Sequence, residues 1–305
     1  MRVLLLLFLF AISLFAESWG YDYNTGEHFN KINIVSSFNK TDTKKLDLYN
    51  NTIIEGNNYT ITNINPLARI ISIHIHKKIT LVIRNLKLVS KIEKYNVNHT
   101  NDIIYIDAGN TDSTIIIDNV VFENSPDSGI FISKNNGIII IKNTKFINCK
   151  DAAIYISGDG SQNGKNLIIK NNYFYNNNVA VIIKRKFKYY IINSNIFEKN
   201  RISIAQGEAD HKYLPGDKGI ITNNIIFDNT EQGIILRVQK GTIVSNNIIK
   251  SKLIGINVEG STDCIISNNT IFAKMPIRII DKVIYGKIYK HKDNLIINNK
   301  LIKVK

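Results

Sequence analysis

Two cysteines in 305 residues rule out a disulfide framework. No Cys/His group has the spacing of a zinc site, no glycine-rich loop is built to cradle phosphate, and no nucleophile elbow is present. Structural zinc folds, P-loop nucleotide enzymes and serine hydrolases of the elbow type are thereby excluded. Helical stretches are also missing between the short β-branched runs that fill the chain. Acidic residues are in deficit, 25 against 39 Lys and Arg, which gives a formal net charge of +14. The one long apolar run is N-terminal. Residues 1–16, MRVLLLLFLFAISLFA, are too short to span a bilayer and read as a secretory signal peptide, with cleavage after Ala16 and a buried N-terminal strand as the alternative. Without Arg2 the mature chain keeps 38 basic and 25 acidic residues, net +13.

What is abundant is one phrase, I-x-N-N-x-[I/F]. It runs from IRNLKL at 83–88 through IKNTKF at 141–146, IKNNYF at 169–174, ITNNII at 221–226 and ISNNTI at 266–271 to INNKL at 297–301. Its third residue forms the series Asn85, Asn119, Asn143, Asn171, Ser194, Asn223, Asn246, Asn268, Asn298, in steps of 22–34 residues. A unit this short cannot bury its own apolar face, so the units must stack. Two or three short strands per unit without a helix fit a coil of parallel strands, each stacked on the last at about 4.8 Å. The fold class is therefore all-β, a single-stranded right-handed parallel β-helix of about ten coils. The Asn series is expected to do two jobs: to form an inward amide ladder, and to take the left-handed backbone of a sharp bend. Leucine-rich repeats would show Leu at fixed positions, and a sandwich would not repeat one phrase nine times. The boundaries are 1–16 signal peptide, 17–50 N-terminal cap and 51–305 β-helix. LIINNKLIKVK at the C-terminal end alternates Lys with apolar residues, which discourages edge pairing. Cys149 and Cys264 lie four to five coils apart, roughly 20 Å by strand spacing, beyond the Cα separation of about 7 Å that a disulfide tolerates. Both are expected to be unpaired.

The GI-x-I strands mark a candidate sheet, on whose outer face function is expected. Inward pairs are taken as Ile154/Ile156, Val181/Ile183, Ile202/Ile204, Ile234/Leu236, Ile256/Val258 and Ile277/Ile279. The outward residues then form two columns. One is Phe131, Tyr155, Ile182, Ser203, Ile235, Asn257, Arg278; the other is Ser133, Ser157, Lys184, Ala205, Arg237, Glu259, Ile280. The loop QGEADHKYLPGDK at 206–218 adds Glu208, Asp210, His211 and Tyr213. A basic exported chain suits an acidic polysaccharide better than nucleic acid. Chemistry beside a sugar carboxylate needs a fixed cation, a base and an acid. Arg237 is the candidate carboxylate clamp, His211 or Lys184 the base, and Tyr155 or Tyr213 the acid. Asn257 and Arg278 are substrate-binding candidates. Glu208, Asp210 and Glu259 are candidate oxygen ligands for a hard cation such as calcium.

The repeat phrase, TIIEGNNYTI at 52–61 and the GI-x-I strands resemble the right-handed parallel β-helix (pectate-lyase-like) superfamily over roughly residues 50–305. The stretch 233–260 resembles chondroitinase-B-like and alginate-lyase-like enzymes, which implies a uronate lyase or epimerase. There an Arg after an apolar strand precedes His-Gly; here Arg237 is followed by Val238 and Gln239, and the family's Lys on the preceding coil falls near Ala205 and Gln206. The same stretch resembles carbohydrate-binding repeats of this fold, which implies a non-catalytic surface scaffold.

Overall fold

The computed structural model describes residues 15–22, 27–65, 67–91, 101–157, 164–184, 186–207 and 218–304. Among them there is no helix, and all regular structure is β. One ten-stranded sheet runs in strict chain order from Lys44–Leu48 to Met275–Ile280, so the solenoid makes ten coils. Each step is parallel and in register, as in Ile130↔Ile154 and Ile154↔Val181. The remaining strands of each coil meet at the Asn bend, for example Gly164–Lys170 with Tyr173–Tyr175 and Ile243–Ser245 with Ile248–Ser251.

Stacking reaches back past Asn51. Asn30 pairs with Thr52 and Lys44 with Ile71, both in parallel, so part of the segment expected as a cap already coils. Ahead of it Phe15–Asp22 pairs antiparallel with Glu27–Ile34. Most of the apolar run at 1–16 lies outside the described residues, and the expected cleavage point after Ala16 falls within the antiparallel strand.

The core repeats because inward side chains lie over their own copies. Ile115 and Ile117 sit on Ile139 and Ile141, then on Leu167 and Ile169, all fully buried. Phe122, Phe146, Phe174 and Phe197 form a continuous stack, with centroids 4.8, 5.1 and 4.7 Å apart and planes within 5° of parallel. Each such ring contributes about 1.5–3 kcal/mol of burial. At Tyr190 the core takes in a hydroxyl, which reaches Thr242 Oγ1 at 3.0 Å. Residue 219 must then be glycine, because a Cβ there would lie 1.7 Å from the Tyr190 ring. Cys149 and Cys264 are both buried and unpaired, as their coil separation demands, and burial pushes their thiols up to about 12 and about 11.

The Asn bend corrects one expectation. All nine residues of the series, Asn85 to Asn298, have left-handed φ between 53° and 57°. All but the half-buried Asn85 are exposed, however, and the buried ladder is one residue further on, Asn172, Asn195, Asn224, Asn247 and Asn269, ending on the half-buried Asn299. Each of the first five gives its backbone N–H and a side-chain N–H to the Oδ1 of the next (2.9–3.0 Å), and all six give a side-chain N–H to a carbonyl of the previous coil. A shorter ladder, Asn177 to Asn200, holds a second bend. The bend thus divides its two tasks between neighbours: the first Asn takes the left-handed backbone, with exposed side-chain bonds such as Asn119 to Asn85, and the second makes the buried bonds.

Asn224→Ala removes an acceptor shared by two buried donors on Asn195. At about 1–3 kcal/mol for each buried group left without a partner, it is expected to cost about 3 kcal/mol in urea unfolding. Asn223→Ala, at an exposed left-handed position, is expected to cost about 1–2 kcal/mol. The reverse order would return the ladder to the first column.

Candidate functional site

Register across the ten-stranded sheet sets the outward columns. The first runs Ser72, Tyr105, Phe131, Tyr155, Ile182, Ala205, Ile235, Asn257, Arg278. In the Ile202–Gln206 strand the inward pair is Ile204 and Gln206, not Ile202 and Ile204. Ala205 therefore replaces Ser203 in the first column, and Gly207 follows Lys184 in the second, bonded to Ile183 O at 3.0 Å. Gln206 occupies a core position because its side chain finds Gln239 Oε1 at 3.1 Å.

The first half of the column is an aromatic strip. The rings of Tyr105 and Phe131 are 5.5 Å apart, and those of Phe131 and Tyr155 stack at 4.7 Å, 10° from parallel. A cation lies over each end: the Arg69 guanidinium 4.3 Å from the centre of Tyr105, and Lys184 Nζ 5.0 Å from the centre of Tyr155. The base and acid candidates Lys184 and Tyr155 are thus brought together. Arg69 and Tyr105 were not among the sequence candidates. The strand Ile104–Asp107 lacks the leading Gly by which its sister strands were recognised, and Arg69 belongs to a turn with no repeat phrase of its own.

Beneath Arg69 lies a second group missed from sequence. Asp102, 2% exposed, has Oδ2 3.5 Å from the Arg69 guanidinium, and its Oδ1 has no hydrogen-bond partner. Burial first, and the neighbouring Asp127 second, raise its carboxyl from 3.8 to about 7 against the pull of Arg69. The same burial raises the Tyr105 phenol.

The C-terminal half of the sheet is polar and satisfies itself. Glu259, 7% exposed on its side chain, receives Arg237 Nε at 2.8 Å and Lys282 Nζ at 3.3 Å, with Arg278 at 3.9 Å. Asn257 donates to Glu259 Oε1 at 2.8 Å and to Gln232 Oε1 at 3.0 Å. Burial raises the Glu259 carboxyl, but Arg237 and Lys282 outweigh it and hold it below its ordinary value. Two expectations change here. Arg237 already clamps a carboxylate, that of its own chain. Glu259, ringed by cations, does not fit as a ligand for calcium. Glu208, Asp210, His211 and Tyr213 lie outside the described residues, and among those described no three His, Cys, Asp or Glu side chains group to hold a metal. Lys184 and Arg237 remain two coils apart, about 10 Å by strand spacing.

The model of the family described as "Right handed beta helix region" matches residues 102–271, which is 170 of 305. The chain belongs to the right-handed β-helix family. No curated protein matches it in sequence. Solved structures similar to this β-helix include an exopolygalacturonase from Thermotoga maritima, 11% identical over 90% of this chain and 84% of that one, with TM-score 0.48. A periplasmic alginate epimerase is 10% identical over 89% and 86%, TM-score 0.41. A mannuronic acid-specific polysaccharide lyase from human gut microbiota is 12% identical over 88% and 78%, TM-score 0.43. At these identities and scores, none of their activities transfers to this β-helix. Among its described residues no helix is long and apolar enough to cross a membrane.

The proton on Asp102 gives a pH test. Its folded value, about 7, is above the ordinary 3.8. Its contribution to stability is therefore full below 3.8 and is lost as pH rises through about 7. Asp102→Asn keeps the site neutral at every pH. At about 1.4 kcal/mol per pKa unit, the variant is expected to exceed the parent protein by a few kcal/mol in urea unfolding at pH 8, and to match it near pH 4. Equal stability at both pH values would contradict a protonated Asp102.

Proposed function

We propose that this protein binds an acidic polysaccharide along the outer face of the ten-stranded sheet. The observation that carries this reading is the aromatic strip with a cation over each end, Arg69 on Tyr105 and Lys184 on Tyr155. With their faces against one another and under the two cations, the rings present an apolar row of edges on which a sugar can rest, and the flanking cations suit its carboxylates. Three rings at 5.5 and 4.7 Å span about 10 Å, room for a short run of sugar units. The formal charge of +14 favours long-range attraction to a polyanion. Export through residues 1–16 would place the β-helix where such polymers occur, in the periplasm or outside the cell. Nucleic acid is not the partner under this reading.

A second reading, a uronate lyase or epimerase, is favoured by the meeting of Lys184 and Tyr155. A lysine whose pKa falls toward neutral can accept the C5 proton, and a tyrosine can donate one. With Arg237 held by Glu259, the carboxylate would need a different cation.

Titration of alginate, pectate and glycosaminoglycans into the protein tests both readings. Tyr155→Ala is expected to weaken binding of the preferred polymer about tenfold, or 1.4 kcal/mol, with the fold intact. Unchanged affinity would sink the strip as the binding face. Growth of unsaturated uronate absorbance, or epimerised sugar seen by NMR, would decide for catalysis. Salt-sensitive binding with neither leaves a binding protein.

A further inference from the structure

Five arginines lie among the described residues, and three of them show how this chain pairs a guanidinium with a carboxylate. Arg84 Nε meets Glu55 at 2.6 Å, Arg201 meets Glu231 at 2.7 Å and Arg237 Nε meets Glu259 at 2.8 Å. These are charge-assisted hydrogen bonds of the short, strong kind. Arg278, at 3.9 Å, shares Glu259, whose charge Arg237 and Lys282 already hold. Arg69 is set differently. Asp102 is the one carboxyl within ion-pair distance of it among the described residues, and its Oδ2 stands off at 3.5 Å. The Arg69 Nε is buried without a hydrogen-bond partner, and so is Asp102 Oδ1. The pair is thus poorly completed, and the guanidinium keeps donors for a second carboxylate.

Register accounts for the placement. Ile71 pairs with Ile104 and Ile104 with Ile130, so Arg69, Asp102 and Ser128 stand on successive coils, each two residues ahead of those partners. Asp127 adjoins Ser128, and Asp151 stands one coil on, its Oδ2 3.5 Å from Ser128 Oγ. Asp102 and Asp127 are both buried and feel one another's charge, and neighbouring carboxyls resist ionising together. On its other side the Arg69 guanidinium lies 4.3 Å from the centre of Tyr105, its side chain 24% exposed at the end of the strip. Tyr105 in turn faces His74, with ring centres 6.2 Å apart, and the Asp107–Lys134 pair. Protonated, Asp102 gives Arg69 a neutral neighbour; ionised, it gives a competing carboxylate. Burial and Asp127 set that change at about 7.

We infer that Arg69 is the group on the strip that recognises a sugar carboxylate, and that Asp102 positions it and, by gaining or losing a proton, makes its charge available or withholds it. This rests on the binding role proposed above. A planar guanidinium offers a carboxylate a fork of two donors, which a lysine cannot. A carboxylate on Arg69 and a proton on Asp102 favour one another, and by linkage each strengthens the binding of the other. Uronate is therefore held in mild acid and released in mild alkali.

Calorimetric titration of tetrasaccharides prepared from alginate and pectate into the full chain, at pH 6 and pH 8.5 and constant ionic strength, tests this. The parent protein is expected to bind the preferred tetrasaccharide about tenfold more weakly at pH 8.5, within the usual range of coupling between two sites. Binding near neutral pH is expected to take up protons, read from the dependence of the heat on the buffer. Asp102→Asn is expected to abolish both effects and to bind more tightly than the parent at pH 8.5. Arg69→Gln is expected to bind about tenfold more weakly at pH 6, with no further loss at pH 8.5. A carboxyl-reduced tetrasaccharide is expected to show no pH profile on the parent protein. A flat parent profile would overturn the role of Asp102 and leave the strip standing, which Tyr155→Ala tests separately. A profile that persists in Asp102→Asn and vanishes in His74→Gln would overturn it in favour of His74. The same profile with the carboxyl-reduced ligand would place the effect in the fold and overturn carboxylate recognition by Arg69. No uronate binding by the parent at either pH would overturn the binding role itself, and this inference with it.

Discussion

At each bend of this solenoid the backbone turns sharply inside the protein, where unpaired N–H and C=O groups are costly. The buried amides of Asn172, Asn195, Asn224, Asn247 and Asn269 meet that need, each closing three or more hydrogen bonds to the coils on either side, and the half-buried Asn299 ends the ladder. Bonds to Oδ1 and to carbonyls of neighbouring coils cross the coil boundary, while bonds such as Asn224 to Thr222 O close the bend itself, so the ladder fixes both bend and pitch. Apolar stacking depends on that pitch. The four phenylalanines lie nearly parallel at 4.7–5.1 Å because successive coils present the same position at the strand spacing. The outer face inherits the same alignment, which is how Tyr105, Phe131 and Tyr155 come to form a strip.

Charge is distributed unevenly over this frame. Toward the C-terminal end Glu259 draws Arg237, Lys282 and Arg278 around itself, so the cations there stabilise the chain rather than wait for a ligand. Over the aromatic strip Lys184 and Arg69 rest on rings. The strip therefore places two cations on an aromatic surface, whereas those of the Arg237 region converge on a carboxylate of the same chain. Asp102 shows the cost of the arrangement: a carboxyl buried beneath Arg69 and beside Asp127 keeps its proton to about pH 7.

The repeat phrase made the coil legible, because stacking forces the same residue types to recur at the same places. It could not tell which Asn of the pair turns inward. Both are polar, and only backbone geometry separates the left-handed residue from the one after it, as Asn223 and Asn224 illustrate. The inward face was read correctly wherever it is aliphatic. It slipped by two residues at Ile202–Gln206, where a glutamine occupies a core position through a bond to Gln239 that no local pattern announces. Tyr155 and Lys184 were visible as outward residues of successive repeated strands, though in separate columns. Arg69, Asp102 and Lys282 were not, since they reach the sheet from turns and from the Lys282–Ile284 strand of an irregular hairpin.

The central claim is that the aromatic strip is the face that meets sugar. Hydroxyl-radical footprinting with and without a saturating uronate oligomer tests it most directly, because it reads the access of each ring. Oxidation of Tyr105, Phe131 and Tyr155 should fall on binding, while Tyr285, 72% exposed on the hairpin, should be unchanged. Binding that leaves those three rings as reactive as before, or that protects Tyr285 instead, would contradict the account.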